Sequence, residues 1–429
     1  MTDRRTRVRG VFVESNPAFP AELELLTPAV GSRWPGWSCP ITGRLRLRAQ
    51  GDAIKSVRVG TVSTIIDEFP VEHPSGDAVH RFGGLVSTVG FPPRGAIHLN
   101  VLLGSGASFD ACRIEVDCET PRPASTRFSP ILVNALPRSG TTWFVSLLSE
   151  HPGMLAYPQY PFEVRHSVYA MSLLRTLTNP YSDPAERREL RLLVDRNLVG
   201  GSPYYTGFLQ DLVPWYATTY GEEVMAFVRG SVEAFYRHVR TRGGWGKRRA
   251  RHFVEKFPGR LPALAMRWIF PAVREIYLVR NPFDVMASIF RFNQRRGYPD
   301  FGEEVHGRSE ALFRHVALAN REELAFFEER CRDGSGTIVR YEDLRADTPG
   351  TLRAILKWLG VDHSDRVIRS MIDGADRRHF PEHVTNRSPS AAAAAAAAAP
   401  AQSSPLAPHE EDWIRECFAD LLERFYPQR

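Results

Sequence analysis

The sequence predicts an α/β fold with a parallel sheet flanked by helices, preceded by an all-β, sandwich-like domain. Three observations support this. The chain has 429 residues, which is more than one hydrophobic core usually holds. Up to about residue 120 the apolar runs are short, alternate with polar residues and are separated by Gly, Pro and Asp. From Phe128 onward, short β-branched runs are each followed by a helical pattern, as in a parallel sheet with crossover helices.

The first domain is expected over residues 1–120, as a sandwich of about seven strands. The runs that predict its strands are 8–13, 45–47, 54–59, 84–89, 97–103 and 112–116. The following stretch, 121–127, is rich in proline and small polar residues and is expected to be a linker. By analogy alone, such a domain could bind carbohydrate or a partner, and a packing role is the alternative.

The α/β domain is expected over 128–387. Its strands are predicted at 131–136, 252–256, 275–280 and 337–340, with a largely helical region over 165–245 and a helix that closes at 268–270. Pro349 in a first turn and Gly360 after a last turn predict a helix over 349–359.

A low-complexity segment, 388–408, contains nine consecutive alanines and is expected to be a short helix or a hinge. Residues 409–429 are expected to dock back on the α/β domain through a helix over 409–425. The apolar face of this helix is predicted from residues spaced four apart: Trp413, Cys417, Leu421 and Phe425.

Composition narrows the class of protein. With 43% hydrophobic and 24% charged residues, the chain is expected to fold into a globular protein. It has no apolar run of membrane-spanning length and no signal-peptide pattern, so a cytoplasmic location is expected.

Five scattered cysteines without C-x-x-C spacing predict neither disulfides nor zinc. The net charge of +6 is spread evenly, which disfavours nucleic-acid binding. All but four of the 55 basic residues are arginine, so a lysine within a motif attracts interest.

The strongest chemical pattern is a strand, a tight turn and a helix around residues 131–150. Gly140 allows the backbone to approach an anion, and the first helical turn presents its amides and dipole. Ser139, Thr141 and Thr142 add hydroxyl donors, and Arg138 adds a forked cation. A phosphate-like group is therefore expected, on a sheet of the P-loop type. The G-x-x-x-x-G-K-[ST] spacing of kinases is absent, so no magnesium site is expected. The alternative is an ordinary turn capped by serine and threonine.

A second pattern follows the strand predicted at 275–280. Arg280 ends this strand, Asn281 can cap the next helix, and Pro282 suits its first turn. Ser288 lies about two turns into that helix. In open parallel sheets the carboxyl ends of strands form the ligand edge, so Arg280 and Ser288 are expected there beside the first loop. An ion pair of Arg280 with Asp284 is the alternative.

Together the two patterns indicate a nucleotide with two anionic groups. The run 137–143, from Pro137 to Trp143, resembles the 5′-phosphosulfate loop of the sulfotransferases that use 3′-phosphoadenosine 5′-phosphosulfate (PAPS). Arg280 with Ser288 resembles their 3′-phosphate clamp. The run 339–344, which contains Tyr341, is similar to a later strand-end motif of the family. The resemblance covers 128–429, points to the tyrosylprotein and bacterial group, and adds Trp143 and Tyr341 to the expected PAPS-binding residues.

The resemblance implies in-line transfer of a sulfuryl group from PAPS to a hydroxyl or amine of a carbohydrate or small-molecule acceptor. This transfer leaves adenosine 3′,5′-bisphosphate (PAP) as the product, and the resemblance implies that no metal is required. Arg138 and Lys256 are the cations expected at the leaving phosphate, since they match the family's basic positions. Two other functions stay open: a divergent P-loop kinase, which magnesium-dependent ATP turnover would reveal, and a nucleotide-binding scaffold without catalysis.

The general base is the least defined residue. Cytosolic members of the family use a histidine two residues after the lysine, where this chain has Pro258. Tyrosylprotein members use a glutamate at a position that matches Gln159, which cannot accept a proton usefully. Glu163 lies four residues further on and is the expected base; its alternative role is an ion pair with Arg165.

Two histidines are reserve candidates for the same proton, His166 and His252.

Overall fold

The computed structural model describes most of the chain. The described residues are 5–14, 19, 21–35, 38–48, 53–61, 64–71, 79–89, 91, 94–104, 108–118, 125–159, 161–178, 219–242, 247, 249–256, 260–376 and 406–427. They divide into two compact units, the first within Met1–Ser125, Ser167–Val232 and Arg260–Pro271, and the second within Thr126–His166, Glu233–Gly259 and Ala272–Arg429. The domain boundaries expected from the sequence stay a prediction.

The β-rich region of the first unit contains two antiparallel sheets. Its described strands are β1 (Arg5–Val13), β2 (Ala21–Thr27), β3 (Arg33–Pro35), β4 (Ser38–Leu47), β5 (Ile54–Thr61), β6 (Thr64–Pro70), β7 (Val79–Ser87), β8 (Arg94–Leu103) and β9 (Ser108–Cys118). The larger sheet has the order β3-β1-β9-β8-β5-β6, and the smaller has the order β2-β4-β7. Side chains of both sheets share one hydrophobic cluster.

The alternation of buried and exposed residues explains these strands. In β9, Cys112, Ile114 and Val116 are buried, and the residues between them are more exposed. The sequence did not reveal β2, β3 or β6. In β2 the residues that alternate with apolar side chains include glutamates, and β3 is only three residues long. The all-β prediction is confirmed, and its finer form, a sandwich, stays a prediction.

The second unit is built around a parallel sheet. Its strands are β10 (Ser129–Asn134), β11 (Met154–Leu155), β12 (His252–Lys256), β13 (Arg274–Val279) and β14 (Gly336–Arg340), in the order β11-β12-β10-β13-β14. All four pairings are parallel. The register places Val133 of β10 beside Lys256 of β12, and Asn134 beside Tyr277 of β13. The carboxyl ends of these strands therefore form one edge.

Twelve described helices accompany the sheets. They are α1 (Thr141–Glu150), α2 (His166–Thr178), α3 (Gly221–Arg242), α4 (Arg260–Ile269), α5 (Pro282–Arg296), α6 (Glu303–His306), α7 (Glu310–Arg332), α8 (Tyr341–Ala346), α9 (Thr348–Leu359), α10 (Asp365–Asp376), α11 (Pro408–Cys417) and α12 (Ala419–Phe425). Helix α1 packs on β10, β11 and β12, and α7 packs on β13 and β14. The prediction of a parallel sheet flanked by helices is confirmed.

Local signals explain where several helices begin and end. The Asp347 side chain accepts a hydrogen bond from the Gly350 amide at the start of α9, and Gly360 ends this helix with φ +69°. Of the region 165–245, α2 and α3 are described, and residues 179–218 lie outside the described part. The alanine run of 388–408 also lies outside it.

The carboxyl-terminal prediction needs a correction. The expected single helix over 409–425 is two helices, α11 and α12, separated at Phe418. Of the expected face, Leu421 is buried, whereas Trp413, Cys417 and Phe425 are only partly covered. The other residues buried along these two helices are Ile414, Phe418, Leu422 and Tyr426, about one position further on than the expected face. The opposing surface decides this face, since Trp413 lies beside Phe313 and Glu410 forms an ion pair with Arg308.

Within the described residues, no helix is long and apolar enough to cross a membrane.

Candidate active site

The turn between β10 and α1 is folded by two residues with left-handed backbone. Arg138 has φ +67° and Gly140 has φ +91°. The Ser139 side chain is buried, and its amide donates to the Leu136 carbonyl, 3.3 Å away. Helix α1 then begins at Thr141 with no side-chain cap and no acidic residue in its first turn. Its first amides and the positive end of its dipole are therefore suited to an anion.

Gly140 is required by contact as well as by conformation. A Cβ atom at this position would lie 2.3 Å from Cε2 of Tyr341. The same tyrosine ring meets the edge of Trp143, with ring centroids 6.0 Å apart, and lies 4.7 Å from the Arg280 guanidinium carbon. Tyr341 thus joins the three motifs predicted from the sequence.

The two predicted anion-binding elements meet directly. Nη1 of Arg280 donates to the main-chain oxygen of Arg138 at 2.8 Å. Nε of Arg138 donates to Oγ of Ser288 at 3.4 Å, and its guanidinium lies 4.3 Å from the Phe292 ring centroid. Among the described residues, Arg280 makes no ion pair with Asp284, and its buried Nε has no hydrogen-bond partner. An unpaired buried donor at this edge fits an anionic ligand.

The residue that follows Arg280 at the end of β13 is fixed by hydrogen bonds. Asn281 caps α5 by accepting from the Phe283 amide at 3.0 Å. The main-chain N–H of Asn281 donates to Oε1 of Glu342 at 2.9 Å, and the Tyr426 hydroxyl donates to Oε2 of the same carboxylate at 2.7 Å. Burial raises the pKa of Tyr426, and the bond to Glu342 raises it further, so the phenol stays protonated as a donor. The chain directly after Arg280 is therefore fixed.

Lys256 ends β12 at the same edge, and its ammonium is almost fully buried. Nζ donates to Oγ1 of Thr142 at 2.7 Å, to the main-chain oxygen of Pro161 at 2.6 Å and to Oε1 of Glu163 at 3.0 Å. Burial lowers the pKa of Lys256, and the Glu163 carboxylate opposes this. The strand thus brings to the turn before α1 an ammonium group that the turn's own sequence lacks.

Glu163 lies on a loop with unusual backbone. Phe162 and Arg165, on its two sides, have φ +64° and +47°. Its carboxylate accepts from Lys256 on Oε1, while Oε2 lies 3.4 Å from Nη2 of Arg165. Both roles expected for Glu163 are compatible with this position, since its carboxylate lies beside Lys256 at the carboxyl edge of the sheet and also pairs with Arg165.

The two reserve histidines lie in different places. His166 begins α2, three residues after Glu163, and stacks on Phe235 with ring centroids 4.4 Å apart. His252 begins β12 and is paired in register with Ser129 and Met154, at the amino ends of their strands. Four residues of strand, about 13 Å, separate it from Lys256. The structure therefore does not bring His252 to the site.

Some residues of the site were not anticipated. Phe292 follows Ser288 by four residues, so helical spacing could have identified it. Glu342 directly follows Tyr341, but its link to Tyr426 spans 84 positions and has no local sequence signal. The third partner of Lys256 is a main-chain oxygen, which side-chain identity does not reveal.

The fold is that of an α/β protein with a parallel sheet flanked by helices, and the turn before α1, Arg280 and Lys256 lie at one edge of this sheet. The match to a family model described as "Sulfotransferase family" covers residues 130–365, more than half of the chain. The chain belongs to the sulfotransferase family.

Several solved sulfotransferase structures match the chain at low sequence identity. The sulfotransferase domain of the Synechococcus PCC 7002 olefin synthase is 19% identical, with 72% of this chain and 98% of that chain covered and a TM-score of 0.38. The sulfotransferase domain from the curacin biosynthetic pathway is 17% identical, with 69% and 98% covered and a TM-score of 0.39. Mouse sulfotransferase SULT7A1, solved with PAP, is 13% identical, with 71% and 87% covered and a TM-score of 0.36. A search of curated proteins finds no match.

Proposed function

We propose that the protein transfers a sulfuryl group from PAPS to a hydroxyl or amine of a carbohydrate or small-molecule acceptor. Membership of the sulfotransferase family supplies the reaction class. The observation that carries the choice of donor is the contact between Arg280 and Arg138. It joins two anion-binding elements at one edge, and PAPS has anionic groups on two positions of one ribose.

The residues of this edge fit the two ends of PAPS. The 5′-phosphosulfate would lie on the amino end of α1, with Ser139, Thr141 and Thr142 as donors and Arg138 as a cation. The 3′-phosphate would accept hydrogen bonds from the unpaired Nε of Arg280 and from the Ser288 hydroxyl. Gly140 has no Cβ to separate the loop from the Tyr341 ring, which would help to shape the floor of the site.

The chemistry assigns one role to each charged group. The bond between sulfur and the bridging oxygen breaks, and its electron pair stays on the phosphate oxygen of PAP. The acceptor oxygen or nitrogen forms the new bond to sulfur and loses its proton to the Glu163 carboxylate. Arg138 and Lys256 stabilise the charge that grows on the bridging oxygen. Sulfuryl transfer relies on positioning and charge in the same way as phosphoryl transfer.

Binding and turnover of the purified protein test this proposal separately. Calorimetry with PAP should show binding without added magnesium. Incubation with ³⁵S-labelled PAPS and panels of sugars, small alcohols and amines should then label one acceptor class.

The alternatives give different results. Magnesium-dependent phosphate release from ATP, without binding of PAP, would support a kinase. Binding of PAP without transfer to any acceptor would support a scaffold. Absence of PAP binding would contradict the proposed donor.

A further inference from the structure

The hydrogen-bonding capacity of Lys256 is fully used in the structure. An ammonium has three N–H donors. Lys256 directs them at Thr142, Pro161 and Glu163, at distances from 2.6 to 3.0 Å. A lysine that is to stabilise the sulfonate and bridging oxygen of PAPS must therefore give up one of these partners.

The three partners differ in how readily they can be replaced. The Pro161 carbonyl is backbone, and the Thr142 hydroxyl lies in the first turn of α1. Glu163 is a side chain whose exposed fraction is 38%, compared with 6% for Lys256. Arg165 is a second cation beside Glu163, and it can stay paired with the carboxylate when Lys256 no longer contacts it. Glu163 is thus the replaceable partner.

Charge favours the same exchange. Lys256 is buried, and its desolvated ammonium needs an anion nearby. The charged groups that act on it are Glu163, which stabilises its protonated form, and Arg165 and Arg138, which destabilise it. If a sulfonate replaces Glu163, one anion takes the place of another, and the buried ammonium is never left uncompensated.

We propose that Lys256 exchanges Glu163 for the sulfonate of PAPS, and that this exchange releases the carboxylate for the acceptor's proton. The inference rests on the proposed function and adds an order of events. Before the donor binds, Lys256 and Arg165 both contact the Glu163 carboxylate. After the exchange only Arg165 remains beside it. The base is therefore prepared only when the sulfuryl group is in place.

Comparison of PAPS with PAP tests the exchange, because PAP lacks the sulfonate. In Glu163→Gln the competing carboxylate is removed, so the ratio of the PAP Kd to the PAPS Kd should rise by about tenfold, a size typical of one charge-assisted contact. The affinity for PAP itself should change little. Measurements use PAPS without acceptor, in calorimetry at low temperature. In a Lys256→Gln background, the same Glu163→Gln substitution should leave the ratio unchanged, which completes a double-mutant cycle.

A second measurement reads the lysine directly. The chain has only four lysines, Lys55, Lys247, Lys256 and Lys357, so side-chain NMR with ¹⁵N-lysine gives four assignable Nζ signals. Glu163→Gln should lower the pKa of Lys256 in the ligand-free enzyme, and PAPS should raise it again. The Lys247 signal is an internal control, since its ammonium binds main-chain oxygens.

The results separate the two levels of inference. If the wild-type protein binds neither PAP nor PAPS, the proposed function is wrong and the exchange falls with it. If both bind, but Glu163→Gln leaves the affinity ratio within about twofold and the pKa of Lys256 unchanged, the exchange alone is wrong.

Discussion

The Nη1 atom of Arg280 lies 2.8 Å from the main-chain oxygen of Arg138, although the two residues are 142 positions apart in the chain. This bond joins the tip of β13 to the turn before α1. A second bond, from Nε of Arg138 to Ser288, runs in the opposite direction between the same two elements. Each of these two elements therefore helps to position the other.

Removal of the Arg280 side chain should weaken PAP binding. Arg280→Ala removes a cation with an unpaired buried donor, and we expect a loss of about 2–4 kcal/mol in the binding free energy of PAP by calorimetry. Arg353→Ala, which removes an exposed arginine paired with Asp365, is the matched control and should leave PAP affinity unchanged. Equal affinities for wild type and Arg280→Ala would contradict the clamp.

The assignment of the base predicts a specific kinetic defect. Glu163→Gln keeps the shape of the side chain but removes its ability to take a proton, so turnover should fall by roughly a hundredfold or more. PAP affinity should be close to wild type. Glu163→Asp is the control that keeps a carboxylate and should recover part of the rate. Near-normal turnover of Glu163→Gln would transfer the role to His166.

Two glycines with similar backbone allow steric contact to be separated from conformation. Gly297 has φ +76° with open space around a Cβ, so Gly297→Ala should cost only the left-handed conformation, about 1–2 kcal/mol of unfolding free energy. Gly140→Ala adds an overlap with Tyr341, and the total should reach about 2–5 kcal/mol. Denaturant unfolding and PAP titration measure both effects.

The same pair has an internal check. In a Tyr341→Ala background the overlap at position 140 is absent, so Gly140→Ala should cost little more than Gly297→Ala. A cost of Gly140→Ala that is the same with and without the Tyr341 ring would show that contact is unimportant there.

His151 should make the fold sensitive to mild acid. Its Nδ1 accepts from the Gly153 amide at 3.0 Å, which requires a neutral ring whose Nε2 donates to the Asp362 carbonyl, 2.9 Å away. Burial is the main reason that the pKa of His151 is lowered below 6.5. The unfolded chain then binds a proton more readily than the folded one. The contribution of His151 to the free energy of unfolding is therefore fully present above pH 6.5 and is lost as the pH falls from 6.5 toward the lowered pKa of the folded protein.

The measurement compares wild type with His151→Gln by thermal unfolding between pH 5 and 7.5. We expect wild type to be the more stable at pH 7.5 and its advantage to shrink toward pH 5. A difference between the two proteins that is constant over this range would mean that His151 does not titrate in the folded protein as described.

The sequence predicted those parts of the molecule that depend on local pattern. The parallel strands were found because each is a short apolar run followed by a helix, and β12 was predicted with the bounds that it has. The two-residue strand β11 was missed because two residues have no periodicity. Apart from Leu421, the buried face of α11 and α12 was predicted wrongly because the surface that covers it, with Arg308 and Phe313, is distant in sequence.

The residues of the site also divide into those that lie in local sequence motifs and those that only the fold brings together. Arg138, Gly140, Arg280 and Ser288 lie in compact motifs, and the structure brings them together. The three partners of Lys256 come from two separate parts of the chain, the start of α1 and the loop that contains Pro161 and Glu163, and one of them is a backbone atom. No sequence pattern could therefore have revealed that its donors are saturated.

The burial of lysines has a practical consequence for chemical labelling. Lys247 directs its ammonium at the main-chain oxygens of Ser149, His151 and Met154, and Lys256 is enclosed beside Glu163. Lys55 and Lys357 are exposed. Reagents such as succinimide esters should therefore attach dyes or surface linkers mainly through these two positions. Immobilisation by amine coupling should leave Lys256 and the carboxyl edge of the parallel sheet unmodified.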